Sequence, residues 1–176
     1  GEIDVVYLLG ADEIDTGRLG NAFVVYQGQH GDAGAHRADV ILPGAAYTEK
    51  DGLYANMEGR VQEGRRAVFP PGEAREDWKI LRAFSAALGR PLPFDTLDEL
   101  RRKIAGACPT LARREMVSPA PWALFGVAGT VQAAPFELPV ADFYMTDPIC
   151  RASTTMAECS ELYVRGGDAA RTGTHG

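Results

Sequence analysis

Ile3-Asp4-Val5-Val6-Tyr7-Leu8-Leu9 decides the fold. The run is β-branched and nearly unbroken in its apolar residues, so it reads as a strand buried on both faces, ended by Gly10. Downstream, Ala22-Phe23-Val24-Val25-Tyr26 repeats the pattern, and Asp39-Val40-Ile41-Leu42 is a third run stopped by Pro43. About a dozen residues separate successive runs, which points to parallel crossovers rather than hairpins. The connecting stretches carry Gly10, Gly17 and Gly20, then Gly28, Gly31 and Gly34, and are expected as loops with short helical turns. The fold class expected is α/β with a mostly parallel sheet, followed by helices and an extended C-terminal segment.

Beyond the third run, Glu49 to Gln62 carries the turn signals Asp51-Gly52 and Glu58-Gly59 between short extended pieces. From about Arg75 to Leu88, Trp78, Leu81, Phe84 and Leu88 fall at helical spacing with Ile80 beside them, and Gly89 and Pro91 stop the helix. Thr96-Leu97-Asp98-Glu99 is a capping box that opens a second helix with a stripe of Leu97, Leu100 and Ile104. Residues 117–140 are rich in Pro, Ala and Gly and read as a connector, with Phe136-Glu137-Leu138-Pro139-Val140 as an edge strand. A segment at 141–164 follows. Asp147-Pro148 opens its helix, whose face is Ile149, Ala152, Met156, Cys159 and Tyr163. Residues 165–176 are expected to be a disordered tail.

A chain of 176 residues that is 45% hydrophobic and 24% charged folds as one ordinary domain. Its charge balance is 18 − 24 = −6, which argues against sequence-independent nucleic-acid binding. No run reaches the roughly 18 apolar residues of a membrane span; the most apolar linker, Pro121 to Phe136, is broken by Gly126, Gly129, Gln132 and Pro135. Cys108, Cys150 and Cys159 are too few and too scattered for a disulfide framework, and with no CxxC they fit a reducing compartment. The chain opens at Gly1, without Met, almost directly into a strand, as expected of a piece of something longer.

Four groups of residues are candidates for chemistry. Gln27-Gly28-Gln29-His30-Gly31-Asp32-Ala33-Gly34-Ala35-His36 follows a strand, and its glycines would let backbone N–H groups approach an anion. It matches neither the dinucleotide fingerprint nor a P-loop, and a tight strand exit needs such glycines anyway. His30 and His36, six apart with Asp32 between, lack helical i, i+4 spacing and a third ligand in sequence, so structural histidines are the better reading. Glu49, Asp51 and Glu58 are carboxylates of the kind that pair for acid–base work, but their spacing equally describes a solvated hairpin. Cys150 and Cys159 on one helix would lie roughly 13 Å apart along its axis, too far for one cluster or one disulfide.

A more specific pattern emerges from the motifs together. Ala38-Asp39-Val40-Ile41-Leu42-Pro43, Glu49-Lys50-Asp51-Gly52 and Asn56-x-Glu58-Gly59-Arg60-x-Gln62 resemble the molybdopterin oxidoreductase superfamily. Within it, the chain resembles the C-terminal portion of the large iron–sulfur subunit of NADH:quinone oxidoreductase, respiratory complex I. The stretches that carry this are Tyr26-Gln27-Gly28-x-His30-Gly31-Asp32-x-Gly34-Ala35, Pro71-Gly72-x-Ala74-Arg75-Glu76-Asp77-Trp78-Lys79-Ile80, Leu92-Pro93-x-Asp95-Thr96-Leu97, Asp142-Phe143-Tyr144-Met145-Thr146-Asp147 and Arg151-Ala152-Ser153.

The resemblance implies that residues 3–116 are the C-terminal part of a molybdopterin-oxidoreductase-like α/β domain and that 141–164 is a docking segment. It implies a structural role in the peripheral arm, supporting electron transfer from NADH to quinone, with other peripheral-arm subunits as partners. The setting would be the cytoplasmic side of a bacterial inner membrane or the mitochondrial matrix side. It places the 4Fe-4S and 2Fe-2S clusters in an N-terminal part outside this chain, and carries no catalytic, cofactor or metal residue over to any position here. In molybdenum enzymes of the superfamily the strand-exit loops line a pterin cofactor that complex I subunits are considered to have lost, which leaves the Gly28–Gly34 loop as a candidate vestige. The alternative is a fragment of a molybdopterin-dependent oxidoreductase that binds the pterin.

Overall fold

The computed structural model describes residues 2–117, 119, 123 and 126–166. Strands β1 (Val5–Leu9), β2 (Phe23–Gly28) and β3 (Val40–Pro43) form a parallel sheet in the order β1-β2-β3. Val5 lies opposite Phe23 and Leu9 opposite Gln27; Val25 lies opposite Val40 and Gly28 opposite Pro43. On one face Leu8, Val24 and Tyr26 form the core, with Val6, Ala11, Leu19, Ala35 and Ala38 packed against it, some of them from helix α1 (Ala33–Arg37) and the turn that follows. On the other face Tyr7 and Gln27 meet helix α2 (Asp77–Ala87): the Tyr7 and Phe84 rings are 5.5 Å apart.

Burial on both faces holds for β2, where Val24, Val25, Tyr26 and Gln27 are all buried. The flanking strands depart from the expectation. Val5, Leu9 and Val40 on the α2 face and Ile41 on the α1 face are exposed, because one helix on each face leaves the outer strands partly uncovered.

Strands β4 (Gly52–Ala55) and β5 (Val61–Gly64) make an antiparallel hairpin. Asn56 Oδ1 shapes its turn by accepting from the N–H groups of Glu58 and Arg60, each at 3.0 Å, and Gly59 supplies a φ of +82°. Leu88, expected on the apolar face of α2, is instead its exposed C-cap, followed by Gly89 at φ +72°. Helix α3 (Leu97–Ala107) starts at the Thr96 capping box.

Two expectations in the C-terminal part fail. Phe136–Val140 pairs with no strand among the described residues. Pro135 and Pro139 remove backbone donors at both ends of it. The single helix from Asp147 is in fact two, α4 (Pro148–Ala152) and α5 (Thr154–Ser160), followed by a wider helical turn at Glu161–Arg165. Ser153 breaks them: its backbone is extended (ψ 122°) and its hydroxyl accepts from Met156 N–H at 3.3 Å, capping α5. Cys150 and Cys159 therefore sit on different helices. Arg165 belongs to that last turn and pairs with Glu161 at 3.1 Å, while 167–176 of the expected tail lie outside the described residues. No helix among the described residues is long and apolar enough to cross a membrane.

Candidate functional site

Parallel strands deliver all their C-terminal ends to one edge, where α/β sheets place ligands. Here that edge holds a cleft of about 360 Å³ lined by Leu9 and Gly10 at the end of β1, Tyr26 to His30 at the end of β2, Ala45 and Lys50 beyond β3, Asp77 of α2 and Pro148 of α4.

Two polar networks build its walls. In the first, Gln27 is 0% exposed. Its Oε1 accepts from the Tyr7 hydroxyl and its Nε2 donates to Asp77 Oδ1 at 2.8 Å. The other Asp77 oxygen pairs with Lys50. Burial and the Asp77 charge push the Tyr7 hydroxyl above its ordinary pKa. The chain Tyr7–Gln27–Asp77–Lys50 thus joins β1, β2, the start of α2 and the segment before β4.

The second network centres on Asp12, 6% exposed. Its Oδ1 accepts from Gly34 N–H and its Oδ2 from the Tyr26 hydroxyl, both at 2.9 Å. The Tyr26 hydroxyl also lies 3.1 Å from His30 O. Desolvation, then the hydrogen bond to Asp12, raises the Tyr26 pKa well above the ordinary phenol value.

Arg151 of α4 ties the C-terminal segment to this loop. Its guanidinium pairs with Asp32, with Glu13 Oε1 at 3.0 Å, and donates to Met145 O at 3.1 Å. Through these contacts the segment folds back onto the loop. Phe143 is 78% exposed, and Tyr144 is half-buried, its ring 6.1 Å from that of Tyr163.

Gly28 and Gly34 are accounted for by Tyr26, while a Cβ at Gly31 would meet nothing within 4 Å. A Cβ at Gly28 would lie 2.3 Å from the Tyr26 hydroxyl oxygen, and one at Gly34 would lie 2.7 Å from Ala11 O and 2.8 Å from the Tyr26 ring. Two of the loop's donors are taken: Gly34 N–H goes to Asp12, and Ala33 N–H to Asp32 at 2.8 Å. Asp12, Glu13 and Asp32 bring three carboxylates to this loop, and two of them, Glu13 and Asp32, pair with Arg151. That excess of negative charge does not fit the phosphates of a pterin dinucleotide, which need positive charge.

The other candidates disperse. His30 Nδ1 is buried without a hydrogen-bond partner, and His36 lies in the last turn of α1. Glu49 accepts from Ala46 N–H at 2.9 Å, Asp51 from Arg66 N–H at 3.1 Å, and Glu58 sits exposed at the hairpin tip beside Arg60. Each carboxylate is committed to a separate partner, so they form no acid–base pair. Cys108, Cys150 and Cys159 are free thiols, and the Asp147 side chain pushes Cys150 above its ordinary pKa, away from the thiolate that ligation needs. Among the described residues no group of three or more His, Cys, Asp or Glu is placed to hold a metal ion.

Sequence reasoning missed Asp12 and the Gln27–Asp77–Lys50 chain. The only signal was the presence of Gln27, Lys50 and Asp77 in the resembling stretches; Asp12 carried none.

Two family profiles match the chain in tandem: molybdopterin oxidoreductase over residues 1–87, and the C-terminal region of the NADH-ubiquinone oxidoreductase G subunit over 116–159. Among curated proteins, it is 47% identical to the mitochondrial NADH-ubiquinone oxidoreductase 78 kDa subunit of Candida albicans, over 90% of this chain and 24% of that protein. It is 44% identical to the NADH-ubiquinone oxidoreductase 75 kDa subunit of Reclinomonas americana, over 90% of this chain and 23% of that one. It is 48% identical to the mitochondrial NADH dehydrogenase (ubiquinone) iron-sulfur protein 1 of Solanum tuberosum, over 89% and 22%. The chain thus spans less than a quarter of the length of these relatives. The α/β fold, the two profiles in order and these identities agree, and the chain belongs to the family of large iron–sulfur subunits of NADH–ubiquinone oxidoreductase, within the molybdopterin oxidoreductase superfamily.

Proposed function

We propose that this chain is a structural part of the large iron–sulfur subunit of respiratory complex I, supporting electron transfer from NADH to quinone in the peripheral arm. The carrying observation is the tandem match: a superfamily-wide profile over 1–87, followed by a subunit-specific one over 116–159. Two structural features support a scaffold role. The strand-exit loop spends its Gly34 and Ala33 N–H groups on Asp12 and Asp32, and Arg151 fastens the subunit-specific segment across that loop. On this reading the iron–sulfur clusters sit elsewhere in the subunit, no residue here holds pterin or metal, and the partners are other peripheral-arm subunits. The complex is attached on the cytoplasmic side of a bacterial inner membrane or on the matrix side in mitochondria.

The test is affinity purification of the tagged full-length subunit from its own cells. The expected result is a multisubunit particle that oxidises NADH, reduces quinone and contains iron but no stoichiometric molybdenum. A free-standing protein with stoichiometric molybdenum and extractable pterin would overturn the proposal in favour of a molybdopterin enzyme.

A further inference from the structure

Among the described residues, every hydrogen bond from 142–165 to the sheet domain comes from one side chain, Arg151. Its guanidinium grips two strand-exit loops at once, through Glu13 after β1 at 3.0 Å and Asp32 after β2. Pro148, three residues earlier on α4, lines the cleft, and residues three apart share one face of a helix. One face of α4 thus carries both the grip and an apolar contact. The rest of the segment is tied to itself: the Ser160 hydroxyl, 0% exposed, donates to Asp142 Oδ2 at 2.6 Å and draws its two ends together.

On the other side of the grip, Asp32 serves two elements. Its Oδ1 caps α1 by accepting from Ala33 N–H, and its backbone carbonyl accepts from His36 N–H at 2.9 Å, while its Oδ2 receives Arg151. Helices α1, α4 and α5 have five, five and seven residues, lengths that do not hold in water without tertiary support. The ion pair that orders the C-terminal segment therefore also fixes the residue that starts α1. Arg151 belongs to the subunit-specific match over 116–159 and Asp32 to the superfamily-wide match over 1–87.

We propose that residues 142–165 are a strap across the strand-exit edge, buckled by Arg151, and that the strap and the start of α1 open and close as one unit while the sheet stays folded. Anything that draws the strap away then loosens α1 as well, which links the subunit-specific segment to the loop of the superfamily domain.

The experiment is native-state hydrogen exchange on the full-length subunit, read at single amides. In the wild type, the strap amides of Arg151, Ser153 and Ala157 and the α1-side amides of Ala33 and His36 should share one opening. Their protection should agree within twofold, fall with the same slope as denaturant is added, and lie at least tenfold below that of β2. Arg151→Ala should speed both groups by the same factor, about fivefold, the rate equivalent of a partly solvated ion pair. Ser160→Ala, at a residue that touches neither Asp32 nor Glu13, should also speed both groups equally and leave β2 unchanged. Strap amides that speed up in either variant while Ala33 and His36 keep their wild-type rates would overturn the proposal. So would different denaturant slopes for the two groups in the wild type. Unchanged rates in both groups of Arg151→Ala would overturn it too, by showing that other contacts hold the strap. A variant in which β2 speeds up equally has lost the whole fold, and the wild-type slopes then decide.

Discussion

The N-terminus of α3 and the C-terminal edge of the parallel sheet are both organised by carboxylates that accept backbone N–H groups, but over very different spans of chain. At α3, Glu99 Oε2 accepts from Asp95 N–H at 2.7 Å and Thr96 N–H at 3.1 Å, and Glu99 N–H donates to the Thr96 hydroxyl at 3.2 Å. All partners lie within four residues and face solvent. At the sheet edge, Asp12 reaches Tyr26 and Gly34, Gln27 reaches Asp77, and Arg151 reaches Asp32 from 119 residues away. A local cap stabilises one helix end, whereas a buried long-range acceptor decides whether separate elements meet. The two should therefore respond on different scales when broken.

The largest effect is expected at Asp12. Asp12→Ala leaves Gly34 N–H buried without its acceptor, while the Tyr26 hydroxyl retains only His30 O. Losing a hydrogen bond to a charged acceptor and orphaning a buried donor together cost about 2–4 kcal/mol. Chemical denaturation of the full-length subunit should show that loss, and Asp12→Asn, which keeps one carbonyl acceptor, should lose less. A change below about 1 kcal/mol for Asp12→Ala would mean that water replaces the carboxylate and the edge is not closed from within.

Tyr26 gives this same network an alkaline signature. Its folded-state pKa is raised above the ordinary value of 10.0 by burial and by Asp12. The unfolded chain thus releases this proton at lower pH than the folded one. The contribution is complete below about pH 10 and declines as pH rises toward the folded-state value. Denaturation midpoints should fall above pH 10 in the wild type and fall less steeply in Tyr26→Phe. The α3 cap contains no group of this kind and should leave the alkaline limb unchanged when it is removed.

Arg151 is intermediate, since its ion pairs are long in sequence but partly solvated. The Arg151 side chain is 25% exposed and that of Glu13 60%. Arg151→Ala should cost about 1 kcal/mol and act locally, speeding exchange of amides in 142–160 while leaving β2 protected. The hydrogen bond from Arg151 holds the Glu13 carboxyl below the usual carboxylate range. This contribution is present above the ordinary carboxylate pKa and is lost as pH falls through the lowered value. Acidification and added salt should therefore each loosen the segment. If 142–160 exchanges at the same rate in Arg151→Ala, the segment is held by its apolar contacts and not by the guanidinium.

The contrast also explains what could be read in advance. Thr96-x-x-Glu99, Asp147-Pro148 and Gly89 were legible because signal and partner lie within one helical turn, and the structure contains all three. The three parallel strands were legible because β-branched runs survive any packing context. The Ser153 break was not, since a serine inside an apolar stripe reads as a tolerated helix residue until its hydroxyl is seen to cap the next helix. Nor was Asp12, which stands in Ala11-Asp12-Glu13 like an ordinary loop acid. Its role depends on Tyr26 crossing over Gly28 and on Gly34 coming back beneath the ring, both products of the assembled sheet. The glycines were visible as a candidate anion cradle, but what occupies it is the protein's own carboxylate, and that depends on tertiary contacts.

The smallest effect should come from the cap itself. Thr96→Ala removes the acceptor for Glu99 N–H but leaves Glu99 Oε2 free to hold the N–H groups of residues 95 and 96. Half of the box survives, and the vacated N–H faces water, which replaces most of what is lost. The expected cost is about 0.5 kcal/mol, the low end for a lost N-cap, with recovery in Thr96→Asp or Thr96→Ser, whose side-chain oxygens restore an acceptor. Because α3 is joined to the hairpin through Arg101 and Glu63, at 2.8 Å, fraying of its first turn leaves that contact one to two turns away intact. The variant should thus lower stability without altering exchange at the sheet edge. If Thr96→Ala costs as much as Asp12→Ala, the α3 cap is coupled to the packing of α3 beneath the hairpin, and the division between local and long-range acceptors does not hold for this fold.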